Sequence, residues 1–137
     1  MRTVTALAFL LLLLLMSSGT QAAAQKPSKT EHPANVALLE QPNGWIYVQF
    51  PSNLRLYVND QDKPGKSLCN EGCEGAWPPL TPTEVDTRPV GHWTQIRRDD
   101  GGLQWAYKNR PVYLRFHDSI AQPIGDGVDG VWRFLEP

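Results

Sequence analysis

From Val36 onward, apolar and aromatic residues come in short runs separated by turn formers, and no 3.6-residue period interrupts the pattern. The runs are Trp45–Phe50, Leu54–Val58, Trp93–Arg97, Leu103–Tyr107, Val112–Phe116 and Val131–Leu135. Each is about five or six residues long and rich in Val, Ile, Tyr, Phe and Trp, which is the length and composition of a strand. The pattern predicts a small, mainly β, antiparallel domain. The best helical candidate is a short turn around Asn70–Ala76.

Turn chemistry orders these strands. Asp99-Asp100-Gly101-Gly102 separates two runs with residues that tolerate positive φ. Lys108-Asn109 joins Tyr107 to Arg110, and Asn suits the second position of a type I′ turn. Pro111 belongs at a strand start or on an edge. Trp93–Phe116 therefore reads as a three-stranded meander. The stretch from Asp60 to Gly91 differs. It holds Pro64, Pro78, Pro79, Pro82, Pro89 and both cysteines. That is too long for an ordinary connection, so it needs its own tethers, and Cys69, Cys73, Trp77 and Leu80 are the candidates.

The start of the chain reads as a secretory signal peptide over residues 1–24. Arg2 supplies the positive region and Leu7–Met16 the apolar run, and small residues follow up to Ala24. The run is too short to span a membrane, which takes about 20 residues. No cysteine lies near the cleavage site, so lipid attachment is not expected. Residues 25–35 are polar and contain two prolines, and they read as a disordered lead-in. Residues 36–137 form the expected single domain. Removing Arg2 leaves 12 basic and 14 acidic residues, a net charge of −2. Without a basic excess, nucleic acid is not an expected partner. No transmembrane segment is expected in the mature chain.

Two segments repeat. Leu56-Tyr57 and Val112-Tyr113 each place an apolar residue before Tyr. After four intervening residues comes Asp62 or Asp118, then a Pro-Gly or Pro-x-Gly turn, then Trp77 or Trp132. Alternation puts Leu54, Leu56 and Val58, and likewise Val112, Leu114 and Phe116, on the expected core faces. The predicted fold is two related hairpin-containing halves packed together, with a long proline-rich loop tethered by the cysteines.

The chain resembles the bacterial secreted-repeat family of predicted lipoproteins, which carries a Tyr-x4-Asp motif. Tyr57, Asp62, Tyr113 and Asp118 match that motif. Gly65–Cys69, Cys73, Trp77–Leu80, Arg98–Gly101, Gln104–Tyr107 and Gly125–Trp132 match further. The similarity runs from about Gly44 to Leu135 and implies a periplasmic or secreted β domain. It implies no reaction.

Cys69 and Cys73 are the only cysteines, spaced C-x3-C. In an oxidising compartment they are expected to form a disulfide, worth about 2 kcal/mol for so small a loop. The competing reading is a copper or redox site in a periplasmic accessory protein, with His92 or His117 joining two thiolates. Asp60, Asp62, Asp118, Asp126 and Asp129 offer oxygen ligands, but without EF-hand spacing, and they read better as turn caps. Trp105, Tyr107 and Trp132 are candidate aromatic platforms for a sugar or a partner protein. No Ser-His-Asp signature appears. The expected function is thus a non-catalytic extracytoplasmic binding or interaction module without a cofactor. Its partner would be a protein or a small ligand.

Overall fold

The computed structural model describes residues 31–137. The expected signal peptide, and residues 25–30 of the expected lead-in, lie outside the described residues. The elements are β1 (Val36–Gln41), β2 (Gly44–Gln49), β3 (Tyr57–Asn59), β4 (Trp93–Arg97), β5 (Leu103–Tyr107), β6 (Arg110–Pro111), a 3-10 turn (Val128–Gly130) and β7 (Trp132–Phe134). They form three antiparallel sheets ordered β1-β2, β3-β7 and β4-β5-β6. The predicted meander is present, with Arg110–Pro111 and not Val112–Phe116 as its third strand. Lys108 and Asn109 turn it with φ of 47° and 68°, as a type I′ turn requires. At the other turn, the Gly101 N–H donates to Arg98 O at 2.9 Å with φ of 86°, a conformation that favours glycine.

The domain is built twice. One repeat runs from Pro33 to Leu80 and the other from Val90 to Leu135. Each opens with the same bond, Val36 N–H to Pro33 O at 3.1 Å and Trp93 N–H to Val90 O at 2.8 Å. Each continues through a hairpin, β1-β2 or β4-β5. The second hairpin strand then pairs with the segment leading to the motif tyrosine, Val48 with Arg55 and Ala106 with Pro111.

The two copies meet at their tyrosines. Tyr57 and Tyr113 exchange both backbone hydrogen bonds, each at 2.9 Å. Around this point the backbone contacts between the repeats come in pairs. Leu80 N–H donates to Val112 O at 2.9 Å, and Leu135 N–H donates to Leu56 O at 2.8 Å. Phe116 N–H donates to Ala76 O at 2.9 Å, and Asp60 N–H donates to Val131 O at 2.8 Å. The tail of each repeat therefore pairs with the tyrosine segment of the other, about a local two-fold axis.

That pairing explains a departure from expectation. Val112–Phe116 was expected as a strand, but only Arg110–Pro111 is one, and Tyr113 makes isolated bridges to Tyr57 and Pro79. Its partner tail carries Pro78 and Pro79, which have no N–H to donate, so the ladder is thinned. The equivalent tail has Arg133 and Phe134 there, and β3-β7 forms in full. Similarly, the run Leu54–Val58 becomes a strand only from Tyr57, with Arg55 bridged to Val48. Strand β1, VALLEQ, did not stand out in the sequence. Its outer end is exposed and its polar residues dilute the strand signal.

The central segments are covered on both sides. Leu56, Val58 and Val112 join Val36, Tyr47, Leu80, Trp93, Trp105, Tyr107 and Leu135 in one core cluster. Tyr57 and Tyr113 turn the other way, into a second cluster with Cys69, Trp77 and Trp132. Phe116, expected in the core, is 56% exposed because the chain leaves the sheet there. The end of the expected lead-in is also bonded to the domain. Pro33 is buried, Asn35 O accepts from Phe50 N–H at 2.9 Å, and the Ala34 N–H donates to Asp86 at 3.1 Å.

Gly125 sits where the repeats press together. A Cβ there would lie 2.5 Å from Tyr57 Cε1 and 3.0 Å from Trp77 Cη2. Gly125→Ala should cost about 1–3 kcal/mol in urea unfolding. Gly75→Ala, which meets nothing within 4 Å, should stay within about 0.5 kcal/mol.

Candidate functional site

The motif side chains extend the two-fold contact. The Tyr57 hydroxyl donates to Asp118 Oδ2 at 2.6 Å, and the Tyr113 hydroxyl donates to Asp62 Oδ2 at 2.7 Å. Each tyrosine thus bonds the aspartate of the other repeat, not its own. The second oxygen of each aspartate closes its own loop. Asp62 Oδ1 accepts from the Leu68 N–H and Asp118 Oδ1 from the Ile124 N–H, both at 2.8 Å and both six residues on. The Tyr113 hydroxyl also meets Ser67 Oγ at 2.6 Å, and the Tyr57 hydroxyl accepts from the Gly125 N–H at 3.3 Å.

Aromatic rings complete the symmetry. Trp77 stands edge-on to Tyr57 at 5.5 Å, and Trp132 edge-on to Tyr113 at 5.0 Å. The two indoles stack on each other, with centroids 3.7 Å apart and planes 5° from parallel. Arg115 lies over Trp77 at 4.7 Å.

Electrostatics suit fixed donors. Burial, reinforced by the Asp118 carboxylate, pushes the Tyr57 hydroxyl well above the usual phenol range. Burial also raises Tyr113, with Asp62 adding to it and Ser67 opposing it. Both stay protonated at neutral pH and act as donors, so neither serves as a base or a nucleophile there. Burial raises the Asp62 carboxyl as well, against the Leu68 N–H and the Tyr113 hydroxyl, which hold it down. The arrangement is a buried latch between repeats.

The disulfide is present. Cys69 and Cys73 are bonded, with Cα atoms 5.2 Å apart. Neither sulfur is then available as a thiolate for copper. His92 and His117 pack against Tyr107 and Phe116 respectively. Among the described residues, no three His, Cys, Asp or Glu groups are placed to hold a metal ion. Asp60 forms ion pairs and Asp126 a cap. Asp60 meets Arg110 at 2.8 Å and Arg133 at 3.2 Å, and Asp126 accepts from the Phe134 N–H at 3.0 Å.

The candidate aromatic platforms need correction. Trp105, Tyr107 and Trp132 are 0%, 3% and 3% exposed, so their rings build the core and offer no face for stacking a ligand. A central segment covered on both sides leaves no second, solvent-facing aromatic surface.

Sequence reasoning gave Arg98 no role beyond its place in a motif. It is 5% exposed and threads between the repeats. Nη2 donates to Cys69 O at 2.7 Å and to Glu74 Oε2 at 2.8 Å, while Nη1 donates to Gln104 Oε1 at 2.6 Å and to Ser67 Oγ at 3.2 Å. It ties the disulfide loop of the first repeat to the hairpin of the second. An arginine before a turn normally reads as solvated, so no sequence signal marked it.

Fold and site together define a two-repeat β domain latched by crossed Tyr–Asp pairs. Residues 94–136 match the model of a family described as a secreted repeat of unknown function. This is the kind of family that the motifs resemble. The match falls on the second of the two structural repeats. No curated protein and no solved structure matches the chain. Among the described residues, no helix is long and apolar enough to cross a membrane.

The crossed latch predicts a pattern of couplings. Tyr57→Phe with Asp118→Asn should be non-additive by about 0.5–3 kcal/mol in a double-mutant cycle, because the two groups touch. Tyr57→Phe with Asp62→Asn, a pair within one repeat, should add to within about 0.5 kcal/mol. Equal coupling in both cycles would contradict the crossed assignment.

A pH effect follows from Asp62. Its folded pKa lies above the ordinary 3.8, so the native state holds the proton more tightly than the unfolded chain. Stability from this group is therefore greatest in acid, and it is lost as pH rises through the window that begins at 3.8. Compared with Asp62→Asn, the wild type should gain in urea midpoint as pH falls from 7 toward 4. A relative loss over that range would refute the assignment.

Proposed function

We propose that the protein is an exported, non-catalytic interaction module whose contact surface is the loop Phe116–Ile124. The observation that carries this reading is the loop's combination of order and apolarity. Phe116, Ile120 and Ile124 are 56%, 65% and 50% exposed. Large apolar side chains grouped on one surface loop are a feature of contact surfaces. The same loop is held from within. Ser119 Oγ donates to Gln122 O at 3.1 Å and accepts from the Gln122 N–H at 3.0 Å. Asp118 fixes both ends, through Tyr57 and the Ile124 N–H. A loop already ordered loses little entropy when a partner docks.

The latch residues belong to folding in this reading, and the partner is a protein with an apolar patch. The apolar leader at residues 1–24 supplies the export that such a role requires.

Site-specific photo-crosslinking in the exporting cell tests the proposal. A crosslinker at Ile120 should give a discrete adduct, whereas one at the exposed Arg88 should not. Ile120→Ser should leave the urea midpoint within about 0.5 kcal/mol and should weaken the adduct formed from a crosslinker at Ile124. Adducts of equal yield at Ile120 and Arg88, or none at either, would sink it.

A further inference from the structure

The contact between the repeats is two-fold, and neither side of it depends on both repeats lying in one chain. Tyr57 bonds Asp118 as Tyr113 bonds Asp62, and Leu80 reaches Val112 as Leu135 reaches Leu56. Each tail completes the sheet of the other repeat, and Trp77 is covered from the other repeat by Trp132 and Arg115. A repeat by itself would leave the tyrosine segment unpaired, and its aspartate would keep its own loop N–H but lose the tyrosine donor. Such an interface is self-complementary in the way that subunit contacts in two-fold dimers are.

We infer that the binding partner of each repeat is a second copy of the repeat, and that chains folding together at high concentration exchange repeats about the Thr81–Pro89 segment to form a closed dimer. In that dimer, the Pro33–Leu80 repeat of one chain latches the Val90–Leu135 repeat of the other, and the reverse. Every inter-repeat bond described above is kept. This inference does not depend on the loop Phe116–Ile124.

Gly125 and Tyr57 lie on opposite sides of the latch, and this gives a test with the full chain. Gly125→Ala drives a Cβ into the Tyr57 ring within one chain. Tyr57→Leu leaves the site underfilled in its own chain. Exchange between the two variants yields one wild-type pairing, Tyr57 with Gly125, and one in which the methyl added by Gly125→Ala fills the space vacated by the ring. The two variants should be unfolded and refolded together, and separately, at high concentration. Light scattering should show a doubled mass in the mixture, with intact mass confirming one chain of each variant. The mixture should also melt above either variant alone.

Wild type supplies the second measurement. Isotopically labelled and unlabelled wild type, refolded together, should give dimers containing one chain of each. Those dimers should persist on dilution and separate only when the protein unfolds. Mixed dimers in either experiment support exchange. Only monomers from wild type at every concentration, with no rescue between the variants, would overturn it.

Discussion

The structure depends on the point where Tyr57 and Tyr113 exchange backbone hydrogen bonds. Two short segments far apart in sequence cross there, with one apolar cluster on each side. Hydrogen bonds in such a place carry more weight than their average worth, because a buried carboxylate or hydroxyl left unpaired costs about 1–3 kcal/mol. The two crossed Tyr–Asp bonds satisfy four buried or half-buried groups at once. They also set register, because a slip of one residue would turn both tyrosines away from their aspartates. The latch thus selects one pairing of the repeats among the many that two similar hairpins could make.

Around this symmetric centre the repeats diverge. In the first, the loop after the motif is closed by the Cys69–Cys73 disulfide. In the second, the corresponding segment is Gly125–Gly130, with Asp126 capping the strand that follows. Cys69 and Gly125 both stand seven residues after a motif aspartate; Cys69 shares a buried cluster with both tyrosines, and Gly125 lies against Tyr57. A buried arginine then joins the unequal parts. Arg98 carries its charge into the interior and finds a carboxylate, two side-chain oxygens and the Cys69 carbonyl. A charge so buried is tolerable only when its terminal N–H groups find a carboxylate and oxygen acceptors in this way.

Much of this was legible in the residues. The runs Trp93–Arg97 and Leu103–Tyr107 are strands to the residue, and Lys108-Asn109 turns as its composition requires. The disulfide followed from two cysteines spaced to reach each other, and the duplication from the repeated Tyr, Asp and Trp. The crossing did not show. Tyr57 lies five positions from Asp62 and 61 from Asp118, and sequence spacing favours the near partner. Strand geometry decides otherwise, since the tyrosine projects toward the paired chain, whose loop brings the other aspartate to it. The loss of a strand at Val112–Phe116 was hidden for the same reason. The cause lies in Pro78 and Pro79, residues of the partner segment. Aromatic platforms were misjudged because alternation predicts one buried face, while a central segment flanked by two clusters buries both.

The divergence also separates the residues that hold the repeats together from those that do not. Residues that sit on the two-fold axis are consumed by folding, and a change at one is matched by a constraint on its counterpart. Segments off the axis are free of that constraint. The loops that follow the motif aspartates share their closing bond, to Leu68 in one repeat and to Ile124 in the other. Beyond it they differ. The first is tied down by a disulfide and Arg98, while the second holds itself with Ser119 and presents Phe116 and Ile120 to solvent. A duplicated scaffold that keeps its latch in both copies can vary its loops at little cost in stability. Exposed positions of the second loop such as Phe116 and Ile120 can therefore change without loosening the contact that holds the repeats together, whereas Asp118 cannot.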